Sequence, residues 1–370
     1  LSLLNTDWYI DMMKRKFYEG EAVPLTFVKK DYVQGTRDVL YYQDLKISGR
    51  WYAKDFLKYA LRNDEGVFFT AFPNTQSPKK LQFFPMKNLR IPVDKNKVIA
   101  NKVVEASDSS KIVDYIDWNW NSNVISKRDL MLIDLIANND WSRPIYFSTT
   151  VGSSASSFFW LQKYFRLEGL AYRFVPVSTE GSGNQFDFGS VNADKMMTIM
   201  YNPEGDESKF NFGNMEKPDV FLDETVRRST FNLRINYGRL ASELSNQGRN
   251  EEALKVLDFA MEKMPVSKLG YDYFFLNLIE GYYKAGDKEK AKNYIDDFSK
   301  VMESELRFYA QFKGADKRAV KNEIQTDLQF MQMLARMLMQ YEFNNSPLTQ
   351  EEYNNVELIQ LYEELAELCG

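Results

Sequence analysis

The sequence contains no histidine. That excludes Ser–His–Asp and Cys–His nucleophile systems, His-based proton transfer and ordinary His-containing zinc sites. A single cysteine, Cys369, stands next to last. It has no intrachain disulfide partner, a chain end is a poor platform for a nucleophile, and one thiol is compatible with the cytoplasm and with an export route alike. No stretch offers the roughly 18 apolar residues from which a membrane-spanning helix is read. The richest, "YFFLNLIEGYY", is broken by Asn277, Glu280 and Gly281. Basic residues are scattered and the net charge is −5, so no nucleic-acid footprint is expected. Neither a metal site nor a cofactor is expected.

What is present is apolar and aromatic. Over 370 residues, 44% hydrophobic and 15% aromatic content suffices for packed cores, and the length suggests two domains. In the C-terminal third, Gly248, Ala253, Leu257, Ala260 and Met264 align with Gly286, Ala291, Ile295, Phe298 and Met302, every pair 38 residues apart. The preceding segments align as well: Tyr237, Leu240, Ala241 and Leu244 with Phe275, Leu278, Ile279 and Tyr282. Spacings of three and four place these residues on one helical face, and each Gly marks the turn between two antiparallel helices. The pattern resembles tetratricopeptide units, whose period is about 34 residues. Further helices are expected at 317–342, where Val320, Ile324, Leu328, Met331, Ala335 and Leu338 form a stripe, and after "SPLTQEE", where Thr349 and Glu352 make a capping box.

Residues 1–180 read as an α/β domain, with a mixed or partly parallel sheet and flanking helices. Strands are expected in "VFFTAF" (67–72), "LQFF" (81–84), "KVIANKVV" (97–104), "RPIYFSTTV" (143–151) and "AYRFVPV" (171–177). "SKRDLMLIDLIANN" (126–139) predicts a helix capped by Ser126, with Asp129 in its first turn. The opening "LSLLNTDWYIDMMKRKF" reads as a strand, Leu1–Leu4, feeding a helix capped by Thr6. A loop-rich linker over 181–220 leads to all-α, tetratricopeptide-like repeats over 221–370.

Four groups of residues are candidate sites. If Leu1–Leu4 and Ile145–Val151 are strands of one parallel sheet, Thr6 and Asp7 share a carboxyl-edge rim with Ser153 and Ser154, where α/β sheets bind ligands; the rival is an ordinary strand-to-helix loop. "DYIDWNWNSN" groups Asp114, Asp117, Trp118 and Trp120, an aromatic and carboxylate set suited to a sugar, or to glycoside hydrolysis, against a rival reading as a core-edge Trp pair. In "YVQGTRD", Gln34 and Arg37 are candidates for a glycan or an anion, against a structural Arg37–Asp38 pair fixing the turn. In the repeats, Ser242, Ser245, Asn246, Tyr273, Glu280, Tyr283 and Lys284 are expected on a concave face that takes an extended peptide or packs on the α/β domain.

"LSLLNTDWYIDMMKRKFY", "YVQGTRD", "SKRDLMLIDLIANNDWSRPIYFSTTVG" and "KYFRLEGLAYRFVPV" together resemble a bacterial multi-pass membrane family related to transmembrane protein two-sixty, a protein O-mannosyltransferase of animals. The resemblance implies a membrane-embedded glycosyltransferase body upstream and a soluble region on the periplasmic side of the inner membrane. The family's catalytic carboxylate has no counterpart here, so no catalytic residue is assigned. The implied partner is an extended acceptor polypeptide or another protein, with a glycan as a further ligand. A repeat-based interaction scaffold and a carbohydrate hydrolase using the 114–120 cluster are the alternatives.

Overall fold

The computed structural model describes residues 2–71, 78–149, 161–179, 189–343 and 356–369. The chain divides into two compact units: Leu1–Leu167 with Ala171–Ser190, and Glu168–Leu170 with Val191–Gly370. The first is mixed α/β. The second is helical, so the expected fold class is the observed one.

In the α/β unit a 3₁₀ turn, Ser2–Asn5, leads into α1 (Asp7–Met13) and α2 (Lys29–Tyr32). Then come β1 (Val39–Tyr42), β2 (Trp51–Tyr52), α3 (Ala53–Ala60), β3 (Phe68–Ala71), β4 (Lys79–Phe84), β5 (Asn88–Pro92) and α4 (Lys95–Ala100). β6 (Tyr115–Asn119) and β7 (Val124–Ser126) precede α5 (Lys127–Asn139), and β8 (Tyr146–Ser148), β9 (Phe165–Glu168), β10 (Ala171–Phe174) and β11 (Ser190–Val191) close the region. The sheets run β3-β4-β1-β7, β2-β5-β6 and β11-β9-β10-β8. β1–β4 and β2–β5 pair in parallel, whereas β1–β7, β3–β4, β5–β6 and β8–β10 are antiparallel. α3 is amphipathic by spacing: Ala53, Phe56, Leu57 and Ala60 are buried and Lys54, Asp55 and Lys58 are exposed. α5 buries a run from Leu130 to Asp134, then Ile136 and Ala137, and the core assembles around it.

Two expected strands are not strands. Of the expected strand Leu1–Leu4, the described residues 2–4 fall in the 3₁₀ turn, which packs on α5, buries Leu4 and leaves Leu3 exposed; both the amide and the hydroxyl of Thr6 donate back to the Leu3 carbonyl. With β8 antiparallel to β10, the described residues of Leu1–Leu4 and Ile145–Val151 do not form the expected parallel rim. Ser153 and Ser154 lie outside the described residues. "KVIANKVV" opens inside α4, because the Asp94 carboxylate accepts from the Asn96 and Lys97 amides and so caps a helix there. That local cap outweighs the β-branched composition.

The helical unit contains α6 (Ala193–Met200), α7 (Glu224–Asn246), α8 (Asn250–Lys263), α9 (Val266–Leu269), α10 (Phe275–Ala285), α11 (Lys288–Tyr309), α12 (Gly314–Ala319), α13 (Lys321–Glu342) and α14 (Glu357–Cys369). α7 packs on α8 and α10, α10 on α11, and α11 on α13 and α14. Gly248 (φ +75°) and Gly286 (φ +96°) occupy the left-handed turns expected of them, and Ala253 and Ala291 are fully buried. Arg234 is buried on α7. Its guanidinium donates to the Met264 and Gly270 carbonyls, pairs with Asp272 and lies 5.1 Å from the Phe275 ring centre. Thr349 and Glu352, the expected capping box, lie outside the described residues. The α13 stripe is Ile324, Asp327, Met331, Leu334 and Ala335, so a carboxylate occupies a position that apolar periodicity alone does not reveal.

Two stability effects follow. A Cβ on Gly238 of α7 would sit 2.7 Å from the backbone oxygen of Asn277 on α10. Gly238→Ala gains about 1 kcal/mol of helix propensity, but helix backbones must part to admit the methyl, at about 1–3 kcal/mol. The expected outcome is a lower unfolding midpoint in denaturant. Asp327 faces Glu305 and Glu323, and burial, followed by the Glu305 charge, pushes its carboxyl up to about 7. The folded state therefore binds this proton more tightly than the unfolded chain. Its contribution to stability is full below about pH 4 and is lost as pH rises through about 7. Urea titrations across that window should show this loss in the parent chain and a flatter profile in Asp327→Asn.

Candidate functional site

A buried helix must find partners for the amides of its first turn. At α5 the Lys127 amide donates to the Asp38 carbonyl at 2.9 Å, and the Arg128 amide to Asn5 Oδ1 at 2.8 Å. Ser126 is the N-cap expected of it, and with Asp129 it forms a capping box. The Lys127 side chain is buried, bonded to the Val33 carbonyl at 3.1 Å and paired with Asp38. Asp38 also accepts the Gly35 amide at 2.9 Å, and Gly35 (φ +87°) makes the turn that exposes Gln34. One helix end thus gathers residues 5–8, 34, 38 and 126.

The result is a groove of about 610 Å³ lined by Asn5, Thr6, Asp7, Trp8, Gln34, Asp38, Val39, Ser126 and Lys127. Trp8 is 59% exposed. α1 turns Ile10 into the core, so Trp8, on the other side of the helix, faces out. Behind it, Asp11 is held below the usual carboxylate range by hydrogen bonds first from Lys29 and then from Tyr32, whose hydroxyl lies 2.6 Å away. Asp7 lies 3.7 Å from the same Lys29. A second cavity of about 400 Å³ shares Asp38 and Val39 with the first and extends over Tyr41, Phe68 and Leu81. Thr6, Asp7 and Gln34, taken from two separate motifs, meet here. Asn5, expected on a rim with Thr6 and Asp7, joins them here, whereas Trp8 was not expected at a site. The available signal for Trp8 was its place two residues before Ile10, on the face opposite the buried position.

The remaining candidates are placed elsewhere. Arg37 is buried, and its guanidinium donates to the Ala60 carbonyl at 2.6 Å, the Leu61 carbonyl at 2.9 Å and Asn63 Oδ1 at 2.8 Å, with Asp31 at 3.5 Å. It closes the C-terminus of α3. It neither clamps an anion nor pairs with Asp38, which belongs to Lys127. Trp118 is fully buried, its ring centre 6.0 Å from that of Trp120, so it offers no platform to a sugar. Asp117 points to the other side of β6, as strand alternation requires. There Arg90 holds it bidentately at 2.6 and 3.0 Å, with Arg50 at 3.5 Å, and the Arg90 bonds hold its carboxyl below the usual range. Asp114 pairs with Lys95 at 2.9 Å. A carboxylate kept ionised by two arginines is unsuited to protonating a leaving group, so Asp117 does not fit the acid of a hydrolase pair.

In the helical unit, the expected peptide groove on α10 is covered by α13. Tyr283 is buried and stacks on Tyr341 at 4.7 Å and 5°; Glu280 accepts the Tyr341 hydroxyl at 3.0 Å and pairs with Lys284 at 2.8 Å. Ser242, Ser245 and Tyr273 are half-buried and Asn246 is exposed. Among the described residues no group of acidic or thiol side chains is arranged to hold a metal ion.

Arg37→Lys tests the structural assignment. A point ammonium cannot replace a fork that satisfies three acceptors, and buried acceptors left unmade cost about 1–3 kcal/mol. A lowered thermal midpoint is expected, with the exposed change Gln34→Ala leaving it unchanged.

Among the described residues no helix is long and apolar enough to cross a membrane. Comparison with curated proteins and with solved structures returned no match. The family model described as TMEM260-associated domain 2 matches residues 1–195. That span holds more than half of the chain and every residue of the groove, and the chain belongs to the TMEM260-associated domain 2 family.

Proposed function

We propose that the chain is the non-catalytic part of a membrane-bound protein O-glycosyltransferase and positions acceptor polypeptide or glycan for sugar transfer. The observation that carries this reading is the groove beside Trp8, which lies within the family-matching region and sets an open aromatic ring beside the exposed Gln34 amide and the Asp7 carboxylate, the latter 3.7 Å from Lys29. A periplasmic location, with membrane attachment through segments outside this sequence, belongs to the same proposal. The pairs α7–α8 and α10–α11 are read as tetratricopeptide-like units that act as scaffold. Their 38-residue offset, turn glycines and buried alanines support this. The chain supplies binding and orientation, and bond making falls to the membrane-embedded part of the parent protein.

Deletion of the gene should remove glycans from Ser and Thr residues of exported proteins, read by mass spectrometry of glycopeptides, and re-expression of the full-length gene should restore them. A glycopeptide inventory unchanged by deletion overturns the proposal.

A further inference from the structure

We infer that the groove beside Trp8 takes an uncharged pyranose sugar, with its C–H face on the indole and its hydroxyls on Asp7 and Gln34. This rests on the glycan side of the function proposed above and narrows it to one ligand class.

The first argument is charge. The groove is lined by two carboxylates, Asp7 and Asp38, and one ammonium, Lys127. That ammonium is buried and spent on Asp38 and the Val33 carbonyl. The helix-end amides that would attract an anion are also taken, by the Asp38 carbonyl and Asn5 Oδ1. Lys29, the cation nearest Asp7, is bonded to Asp11. A phosphate or uronate entering here meets carboxylates and no unspent donor cation. Of the glycan or anion expected at Thr6, Asp7, Gln34 and Arg37, the three residues that line the groove, Thr6, Asp7 and Gln34, therefore favour the glycan.

The second argument is the match of surfaces. Apolar lining is confined to Trp8 and Val39, which leaves no row of pockets for the alternate side chains of a peptide. One open ring flanked by an acceptor, Asp7, and an amide that both donates and accepts, Gln34, suits a ring with an apolar face and a polar edge. The groove volume falls within the range of small-molecule sites, about 300–1,000 Å³.

The test is ligand-observed saturation-transfer NMR on the 370-residue chain. Methyl glucoside, methyl mannoside and N-acetylglucosamine serve as neutral probes, with glucose 6-phosphate and glucuronate as anionic ones. At least one neutral probe should receive saturation at its ring protons, and the anionic probes should not compete. Trp8→Ala should weaken binding about tenfold, a loss of the size expected for one aromatic contact, and Trp8→Phe should retain part of it. Because Trp8 is exposed, both variants should keep the parent thermal midpoint, which separates loss of binding from loss of fold. Absence of saturation transfer from every neutral probe, binding unchanged in Trp8→Ala, or tighter binding of the anionic probes overturns the inference. If deletion of the gene abolishes glycosylation while no probe binds, the proposed function stands and this inference falls. If probes bind through Trp8 while glycopeptides survive deletion, the site stands and the proposed function falls.

Discussion

Helix α5 is buried on nearly every side, so each polar group it carries has to be satisfied from within the fold. Asp134 states the constraint most sharply. Its carboxylate sits in the core, and burial raises its affinity for a proton even though the Thr26 and Phe27 amides and the Asn138 side chain donate to it at 2.8, 3.3 and 2.6 Å. At the other end Lys127 reaches Val33 and Asp38, and the helix amides reach Asp38 and Asn5. Loops far apart in sequence meet at one helix because buried polar groups left unmade there would each cost about 1–3 kcal/mol. The groove at its N-terminal end is a consequence of that convergence.

The helical unit meets the same demand with a cation. Arg234 satisfies the carbonyls left open where α8 ends and the chain turns towards α10, and it lies against the Phe275 ring. Close approach does the rest: Gly238 meets Asn277, and Gly281 admits Leu257 and Ala241. These contacts leave the α10–α11 pair with an uncovered side, and α13 packs there, stacking Tyr341 on Tyr283. A face that looks like a binding surface in one repeat considered alone is a packing surface in the folded chain.

An exposed aromatic ring beside a carboxylate, expected at 114–120, is found at Asp7 and Trp8 instead. The reason is a periodicity that can be read without coordinates. Successive residues of β6 alternate sides, so Asp117 and Trp118 cannot share a face, and the larger apolar ring takes the inside. In a helix, Trp8 stands about 200° from Ile10, so burying one exposes the other. The capping box at Ser126, the turn at Gly35 and the helices around Gly248 and Gly286 were legible for the same kind of reason, because each depends on neighbours within a few residues.

Legible without coordinates were the division into an α/β and a helical part, the helix α5 with its cap, the two glycine-turned hairpins and the lack of histidine. Local signals set these through backbone freedom, capping and apolar spacing. It took the folded chain to show that Arg37 serves α3 rather than a ligand, that residues 2–4 turn instead of extending, that α13 covers Tyr283, and that residues 5–8 meet Gln34 and Asp38. Each of those outcomes turns on which distant donor reaches a given buried acceptor, or which surface reaches a given apolar face. Such pairings are fixed by the competition among all the groups of the fold at once, and sequence spacing does not contain it.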